Sequence, residues 1–163
     1  MFDFSMDSYL SIAFPHDELK PVSGSFTDSL PELGNAAKDD ESEYEGLALT
    51  LIDALDSLLL FNRTDLFIAA HRYLSSPAFP GFDVDVRVHV FESNIRMLGG
   101  LLSAHCLCSH PLWRRRLFGH RTDFEYDDEL LVLAKDLGEF GSLENIENDG
   151  RFQTVHFTVD SMV

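Results

Sequence analysis

An all-α fold is what this sequence predicts, and three observations predict it. Apolar residues recur at helical spacing in separate stretches beginning near Phe2, Gly46, Thr64, Val90 and Asp127. Proline and glycine punctuate the gaps, as at Pro15, Pro77, Gly81 and Gly138. Strand-like alternation is confined to two short runs, Asp83 to Val90 and Phe152 to Val159. The chain of 163 residues is 45% hydrophobic, enough for one globular core.

Taken in order, Phe2, Met6, Tyr9, Leu10 and Ala13 make a first amphipathic helix that Pro15 ends. His16 to Pro21 reads as a charged link, and residues 22–45 as an acidic surface loop, partly disordered, closing on Asp39, Asp40, Glu41, Glu43 and Glu45. Gly46 to Phe61 is so apolar that it predicts a buried helix, with Asp53 and Asp56 embedded in it. Such carboxylates need hydrogen bonds, from a helix N-terminus or an arginine. Thr64, as a cap, opens a third helix that stops before Pro77. Val84, Val86, Val88 and Val90 then predict a short extended connector into the next helix. His110 to His120 carries Arg114, Arg115 and Arg116 and reads as a solvated loop. Asp127 to Leu137 is a last helix with Gly138 as its C-cap. Phe152 to Val159 is a strand with nothing to pair with.

Composition excludes several functions. A net charge of -16 and a pI near 4.5 oppose binding to nucleic acid, which needs a basic footprint, and to anionic membranes. Neutral, hydroxyl-rich partners suit the charge better. No apolar run reaches the ~18 residues of a spanning helix, and the N-terminus has no signal-peptide pattern. Cys106 and Cys108 are poorly placed to pair and read as small buried thiols. No stretch has the ligand spacing of a metal site. Asn62-Arg63-Thr64 is a glycosylation sequon, meaningful if the chain enters the secretory pathway.

The stretch Val90 to His105 is where a site is expected. Phe91, Ile95, Leu98 and Leu102 form one apolar side of its helix, and Val90, Met97 and Leu101 extend it. Glu92, Arg96, Gly99 and Ser103 form the one polar strip. An ionised Glu92–Arg96 pair at i, i+4 is the simplest reading. A salt bridge on so apolar a helix is unusual, and Gly99 and Gly100 each cost ~1 kcal/mol relative to alanine. Either a close neighbouring helix or a ligand near the backbone must offset them.

Three blocks, His16 to Ser23, Leu49 to Leu58 and Val90 to His105, stand in an order and spacing that resemble the N-terminal part of the family 47 glycoside hydrolases. The opening Met1-Phe2, Tyr9 and Ala13-Phe14-Pro15 look most like the ER degradation-enhancing α-mannosidase-like branch. The resemblance implies an (αα)7 barrel, here truncated to its N-terminal helical hairpins, with residues 1–139 a partial catalytic domain and 140–163 a divergent tail. It implies an α-1,2-mannosidase that trims terminal mannose from N-glycans by inversion, with Ca²⁺ in the site.

On that resemblance Glu92 is the general acid and Arg96 contacts the sugar, while Asp53 and Asp56 support them. Partial burial would keep Glu92 protonated, and glycine on the same strip would leave room for a pyranose. High-mannose N-glycans and misfolded glycoproteins are the implied partners, with a disulfide isomerase-type protein beside them, in the ER lumen. The family's other catalytic carboxylates and its Ca²⁺ site match nothing in this chain, and Gly24 stands where the branch often has a cysteine. The foreign tail and the missing signal peptide lead us to expect an incomplete or alternatively spliced product, inactive alone. The alternatives are a module that binds mannose glycans or misfolded glycoproteins, and a truncated product without function.

Overall fold

Residues 1–33, 44–84, 87–140 and 154–156 are described in the computed structural model, and helices dominate them as the periodicity requires. Helix α1, Phe2–Ile12, buries Met6 and Tyr9 and stacks Phe2 on Phe61. The expected long loop is partly folded. Strands β1, Glu18–Lys20, and β2, Ser25–Thr27, form an antiparallel hairpin with Glu18 opposite Thr27, and Gly24 supplies the positive φ its turn needs. Helix α2, Ser29–Leu33, follows and buries Leu30 completely. The acidic residues Asp39 to Glu43 lie outside the described residues, and Glu45 is exposed.

The predicted helix from Gly46 starts later and is broken. Helix α3, Leu49–Asp53, and helix α4, Leu55–Leu60, meet at Ala54, while Gly46 and Ala48 take positive φ before them. A side chain on Gly46 would sit 2.6 Å from the His16 Cα, so the chain there is pressed against residues 15–17. Helix α5, Thr64–Leu74, matches its prediction and buries Phe67, Ile68, Ala70, His71 and Leu74, although Thr64 is its first turn and makes no side-chain cap.

Strand β3, Arg87–His89, leads into a continuous helix: α6, Val90–Glu92, a π-helical stretch, Ser93–Leu98, and α7, Gly99–Ser109. Strand β3 pairs antiparallel with β4, Thr154–His156, so the run expected to be an orphan has a partner. The Arg114 to Arg116 cluster is helical, not a loop. Helix α8, Pro111–Phe118, starts on a proline that fits a first helical position and buries Leu117 and Phe118. Helix α9, Glu129–Phe140, runs past Gly138, where nothing crowds the backbone and no cap forms. The core joins Leu49, Ile52, Leu55 and Leu58 to Phe67, Met97, Leu101, Ala104 and Leu130. No helix among the described residues is long and apolar enough to cross a membrane.

The buried face of the central helix differs from the predicted one. Phe91 is 55% and Ile95 53% exposed, whereas Ser93, Met97, Leu101, Ala104 and Cys108 are buried. Apolar residues cover so much of its circumference that periodicity selects no side. Gly100 selects it. A Cβ there would lie 2.5 Å from the Ile52 carbonyl oxygen, so only the glycine face lets α7 approach α3 this closely. Cys106 is exposed and Cys108 buried, and burial pushes the Cys108 thiol up to about 12.

Candidate active site

Three contacts tie α3 and α4 to the central helix along one line. Arg96 donates to Asp53 Oδ2 at 3.1 Å, Gly100 lies against the Ile52 backbone, and Ser103 Oγ donates to Asp56 Oδ2 at 2.7 Å. The two carboxylates expected to be embedded in that segment are not buried, Asp53 being exposed and Asp56 half-buried, yet each has a partner on the central helix. One is an arginine, as expected; the other is a serine hydroxyl.

The predicted Glu92–Arg96 pair does not form. Arg96 Nη1 instead reaches Glu18 Oε1 at 2.6 Å, a charge-assisted bond to a residue 78 positions earlier. The π-helical turn between residues 93 and 98 explains part of this. Its wider i→i+5 spacing removes the i, i+4 stacking on which the predicted pair rests. Burial pulls the Arg96 pKa down, but the bonds to Glu18 and Asp53 outweigh it and hold the guanidinium above its ordinary value. Glu92 is half-buried, and among the described residues its carboxylate has no hydrogen bond or ion pair. Its backbone N–H donates to His89 Nδ1 at 3.3 Å.

Gly99 and Gly100 have separate explanations. Gly100 is a packing glycine. Gly99 is half-buried but uncrowded, the nearest atom to an added Cβ being Asn94 O at an ordinary contact distance of 3.7 Å. A half-buried carboxylate with free hydrogen-bonding capacity, an anchored guanidinium and an uncrowded glycine share this part of the helix. Such a set can donate protons and hydrogen bonds to a hydroxylated ligand.

A different hub was invisible in the sequence. Asp17, in the segment read as a charged link, is 0% exposed. Its carboxylate accepts from the N–H of Leu30 at 3.2 Å, the N–H of Leu47 at 2.9 Å and the Tyr44 hydroxyl at 2.9 Å. Its carbonyl accepts from Thr50 Oγ1 at 2.7 Å. Asp28 accepts from the Asp17 N–H and holds the His16 ring. Burial raises the Asp17 pKa, and the three donors pull it back only in part. This hub sets the path of residues 16–18 and so the place of Glu18. Asn62, the sequon residue, is exposed at a positive-φ turn.

Comparison with known proteins decides the family. The family model for glycosyl hydrolase family 47 matches residues 1–140. This chain belongs to that family. It is 45% identical over 140 residues to "Alpha-mannosidase I MNS5" of Arabidopsis thaliana, covering 85% of this chain and 23% of that protein. It is 39% identical over 127 residues to "ER degradation-enhancing alpha-mannosidase-like protein 2" of Mus musculus, covering 70% of this chain and 19% of that protein. The solved structure of an α-1,2-mannosidase from Trichoderma reesei superposes with a TM-score of 0.63 at 33% identity, covering 85% of this chain and 25% of that one. The family 47 chain described here thus spans about a quarter or less of the length of these relatives, and its helices match the helical fold of the solved member.

Proposed function

We propose that this chain carries the acid-bearing part of an α-1,2-mannosidase site that removes terminal mannose from high-mannose N-glycans by inversion. The observation that carries the reading is Glu92: a half-buried carboxylate without a partner among the described residues, one π-turn from an arginine held in place, in a family 47 chain. Glu92 acts as the general acid that protonates the leaving oxygen, Arg96 contacts the sugar, and Asp53 and Asp56 hold the strip together. Residues 1–139 form the catalytic part, and Thr154–His156 of the remainder pair with β3, the strand that leads into the helix of Glu92. The names of the relatives favour the endoplasmic reticulum and ER degradation as the setting; the reading extends this to misfolded glycoproteins as partners, a disulfide isomerase-type companion and Asn62 as a glycan acceptor.

Inversion needs a second carboxylate ~6.5–9.5 Å from the first to activate water. Glu18, Asp53 and Asp56 are each occupied by Arg96 or Ser103, so the isolated chain is proposed to bind without hydrolysing. The family's Ca²⁺ finds no fit here: among the described residues no group of three or more His, Cys, Asp or Glu is arranged to hold a metal ion. No step of this reading passes through it. The test places residues 1–140 in a complete family 47 domain, in exchange for the matching quarter of the Trichoderma reesei enzyme, and follows mannose release from α-1,2-mannobiose. Glu92→Gln should lower kcat by ~10²–10⁴-fold, the usual contribution of a positioned acid. Full release by that variant would end the assignment.

A further inference from the structure

Arg96 is anchored at two of its three nitrogens by carboxylates from two other parts of the chain. Nε donates to Asp53 on α3, and Nη1 donates to Glu18 on the β1–β2 hairpin. The guanidinium has five N–H donors in a rigid planar fork. Two bonds from different elements therefore fix both the position and the tilt of that plane, and Nη2 carries no hydrogen bond among the described residues. The Arg96 side chain is 24% exposed, so it is neither sealed in the core nor free in solvent.

We infer that Glu18 is a positioning residue, which holds the Arg96 guanidinium so that Nη2 is presented to a neutral polyol ligand. This rests on the glycosidase reading of the site and adds to it a residue with its role. The charge balance identifies the ligand class. One guanidinium between two carboxylates leaves the cluster with a net negative charge, in a chain of net charge -16. An anionic ligand is repelled there, while sugar hydroxyls accept from Nη2 at no electrostatic cost. Without Glu18 the fork still has Asp53, but it pivots about that single bond. Glu18 is itself held by its neighbours, since Asp17 is locked into the buried hub and Glu18 is registered opposite Thr27 in the hairpin.

The test uses the full 163-residue chain and reads the arginine side chains by ¹⁵N-edited NMR. In the wild type the Arg96 Nη groups should rotate slowly about Nε–Cζ. Glu18→Gln should speed that rotation at least about tenfold, the scale of losing a charge-assisted hydrogen bond, while the Nε–H signal persists through Asp53. Glu18→Asp keeps the charge and should fall between the two. Titration with α-1,2-mannobiose should shift the Arg96 Nη signals in the wild type and weaken about tenfold in Glu18→Gln, and mannose 6-phosphate should bind no better than mannose. Unchanged Arg96 rotation in Glu18→Gln, with a melting curve showing the variant folded, overturns the proposal, as does preferential binding of the phosphate. If Glu18→Gln frees Arg96 but Glu92→Gln leaves mannose release intact in the complete domain, the clamp stands and the general-acid assignment falls.

Discussion

Asp17 and Glu92 are both carboxylates set in largely apolar surroundings, and they end in opposite conditions. Asp17 is fully buried and surrounded by donors from α2, from the segment before α3 and from Tyr44. Glu92 is half-buried and has no such partner among the described residues. A buried carboxylate with both oxygens held by donors is a structural joint. A partly open one with spare capacity is what a proton donor to a ligand requires. The difference lies in the backbone around each: Asp17 sits where three segments converge, whereas Glu92 sits at the start of the central helix, before Arg96 and Ser103 make its contacts to α3 and α4.

The largest effect should come from breaking the joint. Asp17→Ala strands the N–H groups of Leu30 and Leu47 and the Tyr44 hydroxyl, and each unsatisfied buried group costs ~1–3 kcal/mol. Urea unfolding should therefore register a loss of at least about 3 kcal/mol. pH sharpens the point. Because burial raises the Asp17 pKa above its ordinary 3.8, the folded chain holds this proton more tightly than the unfolded one. Its contribution to stability is then fully present below pH 3.8 and is lost as pH rises through the raised value. The stability gap between wild type and Asp17→Asn should widen as the pH falls from neutrality toward 3.8; a gap that narrows would contradict the burial argument.

The two glycines offer a smaller and cleaner contrast. Gly100→Ala forces a Cβ to 2.5 Å from the Ile52 carbonyl oxygen, where backbone must yield. It should cost ~1–3 kcal/mol, as overpacking does. Gly99→Ala meets only an ordinary contact at 3.7 Å and should gain up to ~1 kcal/mol from helix propensity. If the site reading holds, the same Gly99→Ala variant loses mannobiose binding as the methyl enters the sugar's space. Equal melting shifts for the two variants would erase the distinction between packing glycine and site glycine. The smallest effect belongs to Glu92→Gln, which removes no hydrogen bond among the described residues. Its stability should stay within ~0.5 kcal/mol of wild type, and a larger loss would mean that Glu92 is a structural residue after all.

Sequence alone determined several of the helices and singled out the residues that need an explanation. Helical periodicity placed α1, α5 and α9 nearly where they lie, and the polarity of Glu92, Arg96, Asp53 and Asp56 within apolar stretches marked them as residues needing an explanation. Those features are local, decided by spacing along a few turns. What only the tertiary structure decided is which groups meet. Arg96 chose Glu18 and Asp53 over the neighbouring Glu92, 78 and 43 positions away rather than four. Asp17 became the buried joint because its donors come from 13 to 30 residues farther along. The π-helical turn and the contact at Gly100 turned the central helix so that Phe91 and Ile95 face outward. Periodicity can state that a helix has an apolar surface, but only the shape of its neighbour states which part of that surface is buried. On this helix that neighbour is the Ile52 backbone.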